Sequence, residues 1–258
     1  MFEFNFNPKK NNNSVVPPKD TKHTIAREVS KEMTSSITGH RIDLPSHGVF
    51  YKDKKDFIVV DLLRIKHIEL IYSALTLSED FDKEERIASV INDCIKDYSA
   101  YDLTLDDYKY VLYWLRFNSY PRNPFFIKYT RILEDKTEKV VTVRVNQTDL
   151  NIKELKNEQR PLFPWLSYTT VQDNLYYLKH KKELNLIMEY FSFVNGNSPE
   201  EKISFYKNLD ADSINDIKSH IIEFYHGVTE SITTFDPEDP KKEEVKLEFE
   251  FDLASFFP

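Results

Sequence analysis

Cysteine is almost absent from this 258-residue chain. Cys94 stands alone, which excludes an internal disulfide framework and a cysteine-rich zinc site. It falls in an apolar helical stripe, so it reads as a buried, inert thiol rather than a nucleophile. Glycine is scarce too, with 4 in the whole sequence, too few for a Gly-rich loop that cradles phosphate. Neither a Gly-x-Ser-x-Gly elbow nor a His-Glu-x-x-His helix occurs. The 7 histidines are scattered. His40 and His47 come nearest to a pair, and their turn-rich surroundings suit hydrogen bonding better than metal ligation. Apolar runs are short: the N-terminus carries no signal-like region and no stretch reaches about 18 residues. The expectation is a soluble, intracellular protein with no membrane partner. A basic excess is also missing, since 35 Lys and Arg face 43 Asp and Glu for a formal net charge of −8. Attraction to nucleic acid is therefore not expected.

Aromatic residues are what the chain has in plenty. It holds 19 Phe and 15 Tyr, and its hydrophobic content of 40% is that of a folded protein able to bury a core. The length admits one large domain or two small ones.

Residues 1–38 read as an arm. Phe2, Phe4 and Phe6 alternate with polar residues at the period of a strand with one apolar face. A Lys-, Asn- and Pro-rich stretch from Lys9 to Lys22 then follows, with the composition of a linker. A short tethered strand of this kind suits addition to the sheet edge of a partner.

The run Arg41-Ile42-Asp43-Leu44-Pro45-Ser46-His47-Gly48-Val49-Phe50-Tyr51 joins this arm to the first sustained hydrophobic segment. Pro45 fixes φ and pushes Leu44 toward an extended conformation, while Gly48 can take the positive φ of a sharp reversal. The prediction is a strand, a tight corner and a second strand over Val49–Tyr51. Phe57 to Leu62 then closes a small sheet.

Helices are predicted over Ile65–Leu77 and Asp82–Tyr98, the second with Ile87, Val90, Ile91, Cys94 and Ile95 in one stripe. Thr104 and Asp107 read as a capping box for a helix running to about Asn118. The adjacent Asp106 and Asp107 look like paired carboxylates, but in a helix's first turn they read as offsetting its dipole. The cluster Tyr108, Tyr110, Tyr113, Trp114 and Phe117 lacks an accompanying basic groove and reads as packing rather than base stacking. Pro121 and Pro124 stop this helix, and Phe125–Ile132 with Val140–Val145 forms a hairpin pattern.

A Pro-bearing connection over 156–166 is the candidate boundary between a segment 39–155 and a segment 156–258. Beyond it, Gln172–Phe193 is predicted as the longest helix, with a charged middle at Lys179 to Glu183 where it can break. Ser198-Pro199-Glu200-Glu201 opens another, and Ala211–His226 ends at Gly227. A second hairpin pattern pairs Ser231–Phe235 with Val245–Phe251. Phe256 and Phe257 close the sequence, either docked on their own domain or inserted into a partner.

Three of these features resemble, in order and spacing, the baseplate hub and hub-assembly proteins of T-even-like contractile-tailed phages. They are the Leu-Pro-Ser-x-Gly-x-x-Tyr corner over Leu44–Tyr51, the helix end Leu115-Arg116-Phe117-Asn118-Ser119-Tyr120, and the Phe-Phe close. The resemblance implies no catalytic residues. Many relatives carry paired cysteines in the segments after the helical blocks, as zinc-ribbon-like hairpins; here those segments have none, so hydrogen bonding and packing would close the hairpins.

The fold class expected is α+β: helical blocks with a small N-terminal β corner and two β-hairpins. The function expected is that of a non-enzymatic structural subunit of a phage tail baseplate, acting through protein–protein contacts. No cofactor and no metal is assigned. Its partners would be other tail and baseplate proteins, with which it would be oligomeric in the assembly. It would reside in host cytoplasm during assembly and in the virion baseplate if retained. The contact residues proposed are Phe2, Phe4, Phe6, Leu44, Pro45, Gly48, Phe50, Tyr51, Phe256 and Phe257. Two alternatives stay open: a transient assembly chaperone absent from the virion, and a host-directed or nucleic-acid-associated binding protein.

Overall fold

Thr104 ends an extended segment, and its hydroxyl accepts a hydrogen bond from the Asp107 backbone N–H, which starts the helix at the centre of the molecule. The computed structural model describes residues 39–122, 125–132, 137–156, 160–161, 163–182, 190–235 and 244–248. Phe2, Phe4, Phe6, Phe256 and Phe257 lie outside them. The architecture is α+β, as the alternation of helical stripes and strand-like runs implies. Among the described residues there are six α-helices and three small antiparallel sheets.

Strand β1 (His40–Asp43) pairs with β2 (Phe57–Val60). Between them the chain curls through successive turns: His47 N–H bonds Leu44 O, Val49 N–H bonds Ser46 O, and Tyr51 N–H bonds Gly48 O. His47 and Gly48 both take positive φ, at 48° and 72°. The second strand predicted over Val49–Tyr51 is therefore replaced by turns, and β1 finds its partner six residues further on, at Phe57. Gly48 is required twice over, because a Cβ there would also meet the Lys54 carbonyl carbon at 2.6 Å.

Helices α1 (Ile65–Leu75) and α2 (Asp80–Cys94) follow. The predicted stripe of Ile87, Val90, Ile91 and Cys94 is buried, and α2 ends at Cys94 where Ile95 turns extended. Helix α3 (Leu105–Ser119) carries Tyr108, Val111, Leu112 and Leu115 into the same core. Hairpin β3 (Phe125–Ile132) and β4 (Glu138–Val145) sets Phe125, Ile127 and Tyr129 opposite Val145, Val143 and Val141.

Helix α4 (Val171–His180) ends in the charged middle where the predicted Gln172–Phe193 helix can break, and residues 183–189 of that span lie outside the described residues. It stops where Lys179, His180, Lys181 and Lys182 remove the apolar stripe, and Phe191–Phe193 is a single 3-10 turn. Helix α5 (Pro199–Tyr206) starts on the Ser198 cap with proline at its first position, and α6 (Ser213–Phe224) follows. Strand β6 (Gly227–Phe235) pairs with β7 (Glu244–Glu248), as the alternation suggests, and also with β5 (Leu150–Lys153), a strand that four residues of mixed polarity do not announce.

Gly39–Pro258 forms one compact unit. The connection at 156–166 does not interrupt its contacts, since β5 lies before it and β6 after it in one sheet. Leu155 N–H also bonds Pro45 O. No described helix is long and apolar enough to cross a membrane.

Candidate functional site

The first turn of α3 holds two buried carboxylates that grip distant parts of the chain. Asp107 is fully buried. Its Oδ2 accepts a hydrogen bond from the Tyr51 hydroxyl at 2.5 Å, and its Oδ1 accepts from the Ser46 backbone N–H at 3.1 Å. The Tyr51 oxygen in turn accepts from Thr104 N–H at 3.1 Å. Burial first, and then the charge of Asp107, push the Tyr51 phenol well above its ordinary 10.0. The reciprocal capping box predicted for Thr104 and Asp107 is thus only half made. The carboxylate is drawn away to the corner, and the Thr104 N–H it would have taken goes to Tyr51.

Asp106 faces the other way. Its Oδ2 accepts from His226 N–H at 3.4 Å, and the Tyr168 hydroxyl also donates to this carboxylate. Burial raises the Asp106 carboxyl pKa, while His226 and Tyr168 oppose the rise. The imidazole of His226 donates from Nδ1 to Phe224 O at 2.8 Å, which leaves Nε2 to accept the Thr104 hydroxyl proton at 2.9 Å. Gly227, at φ +86°, lets this segment pass the helix start, for a Cβ there would lie 2.7 Å from Asp106 O. Residues 104–107 thereby join the corner, the Tyr168 segment and the start of β6.

Above this network opens a cleft of about 530 Å³. Its walls come from Phe50 to Asp53 at the end of the corner, Tyr98 and Asp102, the start of α4, and residues 195–202. At its floor, Lys202 Nζ donates to Asp173 Oδ2 at 2.6 Å and to Ser192 O at 3.2 Å. Lys202 is 5% exposed and Asp173 2%, so this ion pair is taken almost wholly out of water. Across the mouth, the exposed Lys52 donates to Asn197 Oδ1 at 3.1 Å.

The expected contact residues distribute unevenly over this site. Leu44, Pro45, Gly48 and Tyr51 are buried within the chain's own core, so the apolar corner packs inward instead of forming an outer contact surface. Phe50 is half-buried; it lines the cleft and stacks on His226, with centroids 5.8 Å apart. His40 tilts against Trp114, and His47 lies 3.4 Å from Glu154, so the structure does not bring the two together.

Tyr168, His226, Asp173 and Lys202 were not singled out in the sequence, and the adjacent carboxylates Asp106 and Asp107 were read there as offsetting the helix dipole. Two of them left a signal. Asp107 stands four residues before Val111 on the apolar stripe of α3, and Lys202 falls between Pro199 and Tyr206 on the buried face of α5.

One arrangement has the outline of a catalytic triad. Cys94 Sγ lies 3.5 Å from His67 Nδ1, and His67 Nε2 lies 3.8 Å from Asp93 Oδ2. Its chemistry is opposite to that of a nucleophile. Cys94 is fully buried, and burial followed by Asp93 and Asp61 pushes the thiol up to about 12. His67 Nδ1 already accepts from Arg64 N–H at 3.1 Å, and burial lowers the pKa of the imidazole. Among the described residues, no group of three or more His, Cys, Asp and Glu side chains is placed to hold a metal ion.

On the outer surface, Phe163 stacks on Trp165 at 5.6 Å, and Trp165 tilts against Phe205 at 6.3 Å. Phe163 and Phe205 are 37% and 41% exposed, so the ladder faces solvent. Comparison of the chain with family models, with curated proteins and with solved structures finds no match.

Proposed function

We propose that this chain is a non-enzymatic structural subunit of a phage tail baseplate, placed in its central hub region and acting through protein–protein contacts. The observation that carries the reading is the use made of each position in the Leu-Pro-Ser-x-Gly-x-x-Tyr corner. Leu44 fills the core, Pro45 O receives Leu155 N–H, and the Ser46 N–H and Tyr51 hydroxyl bind Asp107. Gly48 supplies the left-handed turn. A surface turn would need only the Pro and the Gly. Here the remaining positions are also committed, as expected of a pattern that specifies a fold, and the resemblance to hub proteins rests on that pattern.

Two further features support a contact-making role. Tyr51, Asp106, Asp107 and His226 are committed to hydrogen bonds that hold segments of the chain together. The solvent-facing Phe163–Trp165–Phe205 ladder is of the aromatic kind enriched at protein interfaces.

Deleting the gene from the phage that carries it tests the reading. The expected result is heads without complete tails, restored by supplying the protein from a plasmid. Normal contractile tails in the deletion strain would overturn it.

A further inference from the structure

The cleft carries chemistry that the network beneath it does not use. Its volume of about 530 Å³ falls within the ~300–1,000 Å³ of ligand-binding clefts. Its floor is electrically satisfied, because Lys202 is paired with Asp173. Asn197 is occupied at both ends of its amide, accepting from Lys52 and donating to Glu201 Oε2 at 3.1 Å. That same glutamate takes Asn197 N–H, and Ser198 caps Glu201 N–H, so the Glu201 carboxylate and the Ser198 cap already engage two donors at the start of α5.

The rim is different. Asp53 and Asp102 both line the cleft, and among the described residues neither forms an ion pair. Both lie close enough to Tyr98 to act on its phenol, which burial and these carboxylates together push up to about 12. Tyr98 packs on Tyr51 with centroids 5.5 Å apart, so its ring is held in place by the corner. Among the described residues the cation that lines this rim, Lys52, is engaged with Asn197. An aromatic ring beside two unpaired carboxylates, set in a concave wall, is complementary to a cation on a slender stem. Elsewhere on the lining, the exposed Gln172 side-chain amide and Asn195 Oδ1 make no internal hydrogen bond among the described residues, and they match the donors and acceptors of a peptide main chain.

We infer that the cleft docks a short extended segment of a partner protein that carries a lysine or arginine. Its cation sits between Asp53 and Asp102 against the Tyr98 ring, and its main chain meets Gln172 and Asn195. A neutral oligosaccharide fits less well, because most of the amide donors it would need are already engaged. The inference concerns recognition by this cleft and stands apart from whether the assembly is a baseplate.

The test is an NMR titration of the isotopically labelled full chain with the peptide acetyl-Ala-Ala-Lys-Ala-Ala-amide. The same peptide with norleucine in place of lysine and the neutral sugar chitotriose serve as comparisons. The expected result is saturable shifts at Tyr98, Gln172 and Asn195 with the lysine peptide. Affinity should fall at least about tenfold for the norleucine peptide, and equally for an Asp53→Asn/Asp102→Asn variant with unchanged melting temperature. Equal binding of both peptides overturns the inference, as do undiminished binding by the variant, binding of chitotriose alone, or no saturable shift in the cleft.

Discussion

Tyr51 and Asp107 meet at 2.5 Å across 56 residues of sequence, a tyrosine hydroxyl donating to a fully buried carboxylate. This bond ties the corner to the first turn of α3. A hydrogen bond to a charged group contributes about 1.5–3 kcal/mol. Tyr51→Phe should destabilise the fold by about that amount, since it leaves the carboxylate one donor short. Asp107→Asn should cost a comparable amount, because the amide cannot accept on both sides. Denaturant unfolding of the two single variants and the double variant should reveal a coupling of at least about 1 kcal/mol. Additive effects would show that the contact is incidental.

The Lys202–Asp173 pair makes a prediction of different size for single and double changes. Asp173→Ala strands a buried ammonium and removes the Thr170 hydrogen bonds, and should cost about 3–5 kcal/mol. The double change Lys202→Met/Asp173→Leu removes both charges and should recover a large part of that loss. A double variant as unstable as Asp173→Ala would contradict this account of the cleft floor.

His220 and His67 contribute to the loss of stability in acid. His220 donates from Nε2 to Ser167 O at 2.6 Å, while its buried Nδ1 has no partner. Burial lowers the pKa of both imidazoles below the ordinary 6.5. The unfolded chain therefore takes up protons first. Stability is fully present above pH 6.5 and declines as pH falls through that value toward the folded-state values. The slope approaches about 1.4 kcal/mol per pH unit for each proton taken up. His220→Gln keeps a donor for Ser167 O and cannot titrate. Urea unfolding between pH 7 and pH 5 should show a shallower decline for this variant, and an unchanged slope would remove His220 from the explanation.

Cys94 should be silent in the native protein. A thiol pushed up to about 12 and fully buried offers almost no thiolate at pH 8. Iodoacetamide should label it only after denaturation. Fast stoichiometric labelling of the folded chain would reopen the Cys94–His67–Asp93 arrangement as chemistry.

Much of the secondary structure was legible in the sequence because its causes are local. The Thr104 cap, the Ser198-Pro199 start and the stripe from Ile87 to Cys94 lie within a few residues of the structure they specify. The pairing of β3 with β4 follows from two apolar, strand-like runs that lie close together in the sequence. The corner was placed correctly but read too straight, because three apolar residues at Val49–Tyr51 resemble a strand. Their true directions depend on Asp107 and on the ring cluster of Tyr168 and His226. The site was not legible for the same reason. Asp106 reaches His226 across 120 residues, and the cleft draws its walls from four separated segments, so no window of sequence holds either one.

The proposal that the chain is a structural subunit is tested most directly by absolute quantification of it in purified, intact phage particles. The account predicts a fixed copy number that matches the three- or six-fold symmetry of a baseplate. Presence in tail assembly intermediates but not in finished particles would contradict it in favour of a transient chaperone, and absence from both would end the baseplate reading.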